Sequence, residues 1–197
     1  MGMILNRRRF CGGKALPYDA EIEYLEGTGA QWIDTGIATK DATKAELQCF
    51  YSAGRNKTVF GNTTTSVARG YPASIWSESG GLKYYSVGQS NIYLGAINTN
   101  INAEFNIPTN SVNSNIYIFS ANGYEGEIGF KCYRCKLYNG TILVRDFIPV
   151  VKDNVGYMYD KVSKQLFGNA GTGSFILGPD KDSATVITQQ QQHEMYG

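Results

Sequence analysis

"GEIGFKCYRCKLYNGTILVRDFIPV", residues 126–150, alternates apolar and polar side chains on both sides of Asn139-Gly140. Two period-two runs joined by Asn-Gly are the strongest short-range cue for an antiparallel hairpin, because Asn and Gly both tolerate the left-handed backbone of a tight turn. Composition agrees with a chain built of such hairpins. The 197 residues include 23 glycines and 14 tyrosines, with many Thr, Asn, Ser, Ile and Val, which suit pleated strands and turns better than helix.

Downstream of Pro149, "VGYMYDKVSKQLFGNAGTGSFILGP", residues 155–179, reads as a second hairpin, with a Gly-rich loop before a closing strand. Upstream, "SNIYIFSANG" (114–123) is a strand running to the Asn122-Gly123 turn, and 71–108 reads as a meander with Pro72 and Pro108 at edges or turns. "KAELQCFYSA" (44–53) and "KTVFGNTTT" (57–65) are two more strands, and "IEYLEGTGAQWIDTGI" (22–37) is strand, turn and strand. Short strands at regular spacing with almost no helix predict an all-β fold: a two-sheet antiparallel jelly-roll sandwich over residues 20–180. Residues 1–19 read as a basic N-terminal arm and 181–197 as a Gln-rich C-terminal tail.

The net charge is +1, yet residues 1–14 carry Arg7, Arg8, Arg9 and Lys14 and no acid, which leaves 14 basic against 17 acidic groups on the rest. That balance excludes nucleic-acid binding by the folded domain, which would need clustered Lys and Arg. Gly12-Gly13-Lys14 interrupts any apolar run after the arginines, so no secretory signal is expected, and no stretch is long and apolar enough to span a membrane. Cys11, Cys49, Cys132 and Cys135 are spaced irregularly. Strand alternation should turn Cys132 and Cys135 to opposite faces, and the one histidine, His193, lies in the tail, so free thiols are expected, with neither metal nor cofactor.

Three stretches, "YLEGTGAQWIDTGI" (24–37), "FGNTTT" (60–65) and "CKLYNGTILVRDFIPVVKDNVGYMYDKVSKQLFGNAGTGSFILGP" (135–179), resemble the concanavalin-like, laminin-G-like jelly-roll domains of Bacteroides-type gut bacteria and their phages. The resemblance implies a sandwich carried on surface or virion proteins, often binding carbohydrate, and does not imply catalysis. Within the motif, Trp32 is available for burial, and the adjacent Arg145 and Asp146 must face opposite sides. Asp160 or Asp34 is the expected partner for an inward Arg145.

Glu21, Glu23 and Glu26 match the spacing of the E-x-D-x-x-E pattern of laminarinase-type glycosidases, which needs carboxyl groups roughly 5–5.5 Å apart on one face. Simple alternation places Glu26 opposite the other two, so the segment reads as sandwich wall and the chain as no enzyme. Trp76, Tyr84 and Tyr85, with Arg69 and Asn62, are the candidate glycan-binding set, since sugar rings stack on aromatic faces. The alternative is that Trp76 and one tyrosine are core. Arg7, Arg8 and Arg9 form the candidate assembly arm. The reading is a phage virion structural or appendage protein, made in the host cytoplasm and held to capsid or tail proteins by this arm, a homo-oligomer such as a trimer, touching host surface glycans. The alternatives are a bacterial carbohydrate-binding protein and a glycosidase.

Overall fold

Asn139 is the register partner of Ile142, so the loop of the central hairpin is Gly140-Thr141. Only Gly140 of these two has positive φ (60°), the pattern of a type II′ turn, which sits one residue later than the Asn-Gly cue places it. The following hairpin holds a type I′ turn that sequence reading passed over. Lys152 pairs with Val155, and the loop residues Asp153 and Asn154 have φ of 50° and 62°; Asp and Asn enter this region more readily than other side chains.

The computed structural model describes residues 10–11, 14–52, 58–62, 73–78, 80–86, 90–108, 114–121 and 128–182. Their strands are β1 Phe10–Cys11, β2 Lys14–Ala15, β3 Ala20–Glu21, β4 Leu25–Thr28, β5 Ile33–Ala38, β6 Lys44–Tyr51, β7 Thr58–Asn62, β8 Ala73–Glu78 and β9 Gly81–Ser86. They continue as β10 Ile92–Ala96, β11 Asn100–Asn106, β12 Asn115–Ile118, β13 Ile128–Asn139, β14 Ile142–Lys152, β15 Val155–Asp160, β16 Gln165–Phe167 and β17 Ile176–Leu177. No helix among the described residues is long and apolar enough to cross a membrane.

Two antiparallel sheets face one another as a jelly-roll sandwich. The smaller runs β10-β9-β8-β7-β12-β5; the larger runs β11-β6-β13-β14-β15-β16 and takes in β3, β4 and β17. Alternation sends Leu47, Cys49, Tyr51, Phe130, Leu137 and Phe147 of the large sheet inward against Ile33, Phe60, Ile75, Tyr84 and Ile118 of the small one. Aromatic rings interlock across the seam: Phe105 meets Phe60 edge-on at 5.6 Å and lies tilted against Tyr84 at 4.4 Å, and Phe119 meets Phe130 edge-on at 5.2 Å. Tyr51 donates to the buried Ser77 hydroxyl at 3.4 Å, so its hydroxyl is satisfied inside the core.

The large sheet forks. β13 pairs with β14 from Asn139 back to Cys135, opposite Phe147, and there the pairing stops. Beyond it, β13 turns to β4, with Cys132 opposite Leu25, while β14 turns to β3, with Val150 opposite Glu21. Two residues cause the parting. Tyr133 is extra on β13, since Cys132 faces Cys49 and Arg134 already faces Gln48 on β6, and such a bulge ends regular pairing. Pro149 on β14 has no N–H, and its carbonyl accepts from Ile22 on the fork side. The missing donor therefore points where β13 would have continued, because N–H and C=O of one antiparallel residue face the same neighbour. β14 runs through Pro149 without ending.

The Tyr133 bulge also corrects the cysteine expectation. One added residue lets Cys132 and Cys135 face the core together, both fully buried beside Cys49. All three are free thiols, and burial pushes Cys49 up to about 12 and the other two upward as well. Among the described residues, no group of three or more His, Cys, Asp or Glu is placed to hold a metal ion.

A second, smaller cluster covers the outer face of β14 and β15, where Tyr18 packs on Ile148, Val150 and Tyr159. Tyr18, assigned to the arm by sequence, is 5% exposed and meets Tyr159 edge-on at 4.9 Å. The packed body thus includes the segment from Leu16 onward.

Candidate functional site

The outer face of the large sheet is a ladder of charges that satisfy one another. Lys44 lies 3.2 Å from Glu104 and 3.4 Å from Glu46, and Lys136 lies 2.7 Å from Glu46. The hydrogen bond from Lys136 holds the Glu46 carboxyl below its ordinary range. Arg134 grips Asp146 with two parallel bonds of 2.9 and 2.8 Å, which raises the guanidinium pKa further. Lys131 sits 3.7 Å from Glu26 and 4.3 Å from the centre of the Tyr24 ring.

At the fork this mutual pairing stops and a cleft of about 400 Å³ opens. β6 brings Gln48, β13 brings Tyr133 and Arg134, and β14 brings Ile148. The segment that crosses the fork brings Glu21 and Glu23, the turn after β15 brings Lys161, and Lys181 follows the bridge between Ile22 and Asp180. Glu21 accepts from the Tyr18 hydroxyl at 3.1 Å. Among the described residues, the side chains of Glu23, Gln48, Lys161 and Lys181 have no hydrogen-bond or ion-pair partner. Burial raises the Tyr133 phenol above its ordinary value; its hydroxyl donates to Asn100 Oδ1 at 3.5 Å and its ring meets Tyr24 edge-on at 5.8 Å, leaving part of the ring on the cleft wall.

The three glutamates come out differently from the alternation argument. Ile22 and Leu25 are both buried, so the chain breaks its period at Glu23-Tyr24 and Glu26 joins Glu21 and Glu23 on the outer side. It does not join them in the cleft: Glu26 stands opposite Lys131 and pairs with it. Glu21 and Glu26, the outer pair of the laminarinase-like spacing, therefore do not share the cleft.

The sequence-derived aromatic set is divided by the sheet. Tyr84 is core, donating to the Asn106 carbonyl at 2.9 Å. Asn62 is fully buried and ties β7 to the segment before β12, its amide donating to Ser114 Oγ at 2.6 Å and to the Asn115 carbonyl at 3.0 Å. Both corrections follow from inward-facing register positions. Trp76 and Tyr85 lie on the outer face of the small sheet, beside the Lys83–Glu78 pair at 2.8 Å, and Tyr85 donates to Glu78. Arg69 and the arm residues Arg7, Arg8 and Arg9 lie outside the described residues.

The motif residues fasten the sandwich. Trp32 packs against the core, and its backbone N–H donates to Asn169 at 3.2 Å. Asp34 accepts from Asn115 at 2.8 Å and from the Gly36 N–H. A bulge near Leu137 sets Arg145 opposite that core residue, and Arg145 reaches the small sheet by donating to the Thr35 carbonyl at 3.0 Å. Its guanidinium lies 3.6 Å from Asp160 and 5.4 Å from the Phe167 ring centre. Asp146 faces the other way, to Arg134.

Sequence reading missed Gln48, Tyr133, Arg134, Lys161 and Lys181 as site residues. One signal for them was present: Pro149 in a strand whose hairpin partner positions fall in "CYRC". Compared with protein-family models, with curated proteins and with solved structures, the chain matches none.

Asp160 yields a stability prediction. Burial alone would raise its pKa, but N–H donors from Asp146, Ser163 and Val162 outweigh it, and the carboxyl is held below the usual range. A depressed folded value gives stability that is present above the unfolded pKa of about 3.9 and is lost as pH falls through the folded value. Asp160→Asn is expected to cost about 2–4 kcal/mol at neutral pH in urea unfolding. It should also flatten the acid limb of stability against pH; an unchanged limb contradicts this role.

Proposed function

We propose that this chain is a non-catalytic glycan-binding jelly roll displayed on a phage particle, with the cleft at the sheet fork as its binding site. One observation carries the binding part: polar side chains converge there without partners, on a face where the neighbouring charges pair with each other. Exposed polar groups gathered beside an aromatic ring suit a hydroxyl-rich ligand, because the Gln48 amide can donate to and accept from sugar hydroxyls, the carboxylates accept from them and the ring covers an apolar sugar face. The volume suits a short oligosaccharide. The separation of Glu26 from the cleft favours binding over cleavage. The display part is supported by the likeness of the three motif stretches to phage and gut-bacterial jelly rolls and by the basic residues ahead of the packed body.

In glycan-array and calorimetric binding with host surface polysaccharide fragments, Tyr133→Ala should weaken binding about tenfold or more, about 1.4 kcal/mol, while Trp76→Ala leaves it intact. The opposite pattern moves the site to the small sheet. For display, the Arg7, Arg8 and Arg9 triple alanine variant should lose co-sedimentation with capsid or tail components; equal sedimentation of variant and native chain removes the anchoring role.

A further inference from the structure

The cleft's charges point to the class of glycan. Arg134 and Asp146 neutralise one another through two bonds, which leaves Glu21 and Glu23 against Lys161 and Lys181 as the charges that face a ligand. The acids stand on the segment crossing the fork; the bases come from the turn after β15 and from the chain beyond Asp180. Charges of both signs are therefore present, and none of the four is paired with another: no ion pair joins them among the described residues.

A neutral sugar entering such a cleft displaces water from four ionised groups and returns only hydroxyl bonds. A ligand of one sign satisfies two of them and meets repulsion from the other two. A ligand carrying both signs pairs with each, and that pairing offsets the water the four charges give up when the ligand binds. Ile148 adds little apolar surface, at 5% exposed, so charges, hydrogen-bonding groups and the Tyr133 ring are what the cleft offers a ligand.

We infer that the cleft selects zwitterionic glycans, in which an amino sugar with a free ammonium lies near a sugar bearing a carboxylate or phosphate. The inference rests on the glycan-binding reading above. The ammonium goes to Glu21 and Glu23, and the anion goes to Lys161 and Lys181.

Calorimetry with the full chain and four oligosaccharides of equal length tests this. One alternates glucosamine with glucuronic acid; the second is its N-acetylated form, which is only anionic; the third is a glucosamine oligomer, only cationic; the fourth is an N-acetylglucosamine oligomer, neutral. The first should bind at least tenfold tighter than each of the others, with the advantage shrinking as salt is raised. Glu23→Gln should lower affinity for the two amine-bearing ligands and spare the anionic one. Lys161→Met should lower affinity for the two carboxylate-bearing ligands and spare the cationic one, with both variants keeping the native melting temperature within a few degrees. Equal binding of neutral and zwitterionic sugars overturns the charge class while leaving glycan binding standing. So does tightest binding of a singly charged form. No binding by any of the four overturns the glycan-binding reading itself, and equal binding by a peptide of alternating Lys and Glu overturns the choice of carbohydrate.

Discussion

β13 and β14 cannot remain neighbours past Tyr133 and Pro149, and most of what is distinctive about this sandwich depends on that. An extra residue on one strand and a missing N–H on the other open the sheet. The segment from Ala20 to Thr28 fills the gap, giving each parted strand a new partner and burying Ile22 and Leu25 in the core. Because those two inward residues are three apart, the chain between them leaves strand geometry, and the side chains of Glu21 and Glu23 are left at a cleft and not on a flat ladder. The same bulge lets Cys132 and Cys135 both face the core beside Cys49 and sends Tyr133 outward.

The fork is stable because charge ties fasten both of its sides. Arg145 and Asp146 are consecutive, yet they serve opposite faces: Arg145 reaches across to the small sheet at Thr35, and Asp146 clamps Arg134 just where β13 turns away. Asp160 joins the two functions, receiving the Asp146 N–H on one oxygen while lying near Arg145 with the other. A buried carboxylate with this many donors is worth more as a geometric fixture than as an ion pair alone. On the outer side, the strap from Leu16 to Tyr18 adds an apolar cover over β14 and β15 and delivers the Tyr18 hydroxyl to Glu21, so the cleft is set by packing on a rigid sheet.

Alternation and turn chemistry made the sandwich readable in the sequence, because each strand buries one face and shows the other. They failed where a strand gains a residue. The Cys132–Cys135 and Glu21–Glu26 arguments both assumed an unbroken period of two, and both segments border the fork. Turn cues erred more mildly: Gly140 supplies the positive φ, but as the first loop residue and not the second, and Asp153-Asn154 makes a tight turn without any glycine. The aromatic residues attracted attention as sugar platforms by type alone, whereas register, which composition does not reveal, places Tyr84 in the core. Tyr133 lay unremarked between two cysteines. A proline inside an alternating run was the one legible sign that a strand pair would separate there.

Amide chemical-shift mapping of the isotopically labelled chain during titration with the alternating glucosamine–glucuronic acid oligosaccharide tests the central claim most directly, because it locates binding without assuming a site. The account predicts that the largest shifts cluster at residues 21–23, 48, 133–134, 161 and 181, the positions around the fork. Shifts centred instead on Trp76 and Tyr85 across the small sheet, or none anywhere, would contradict it.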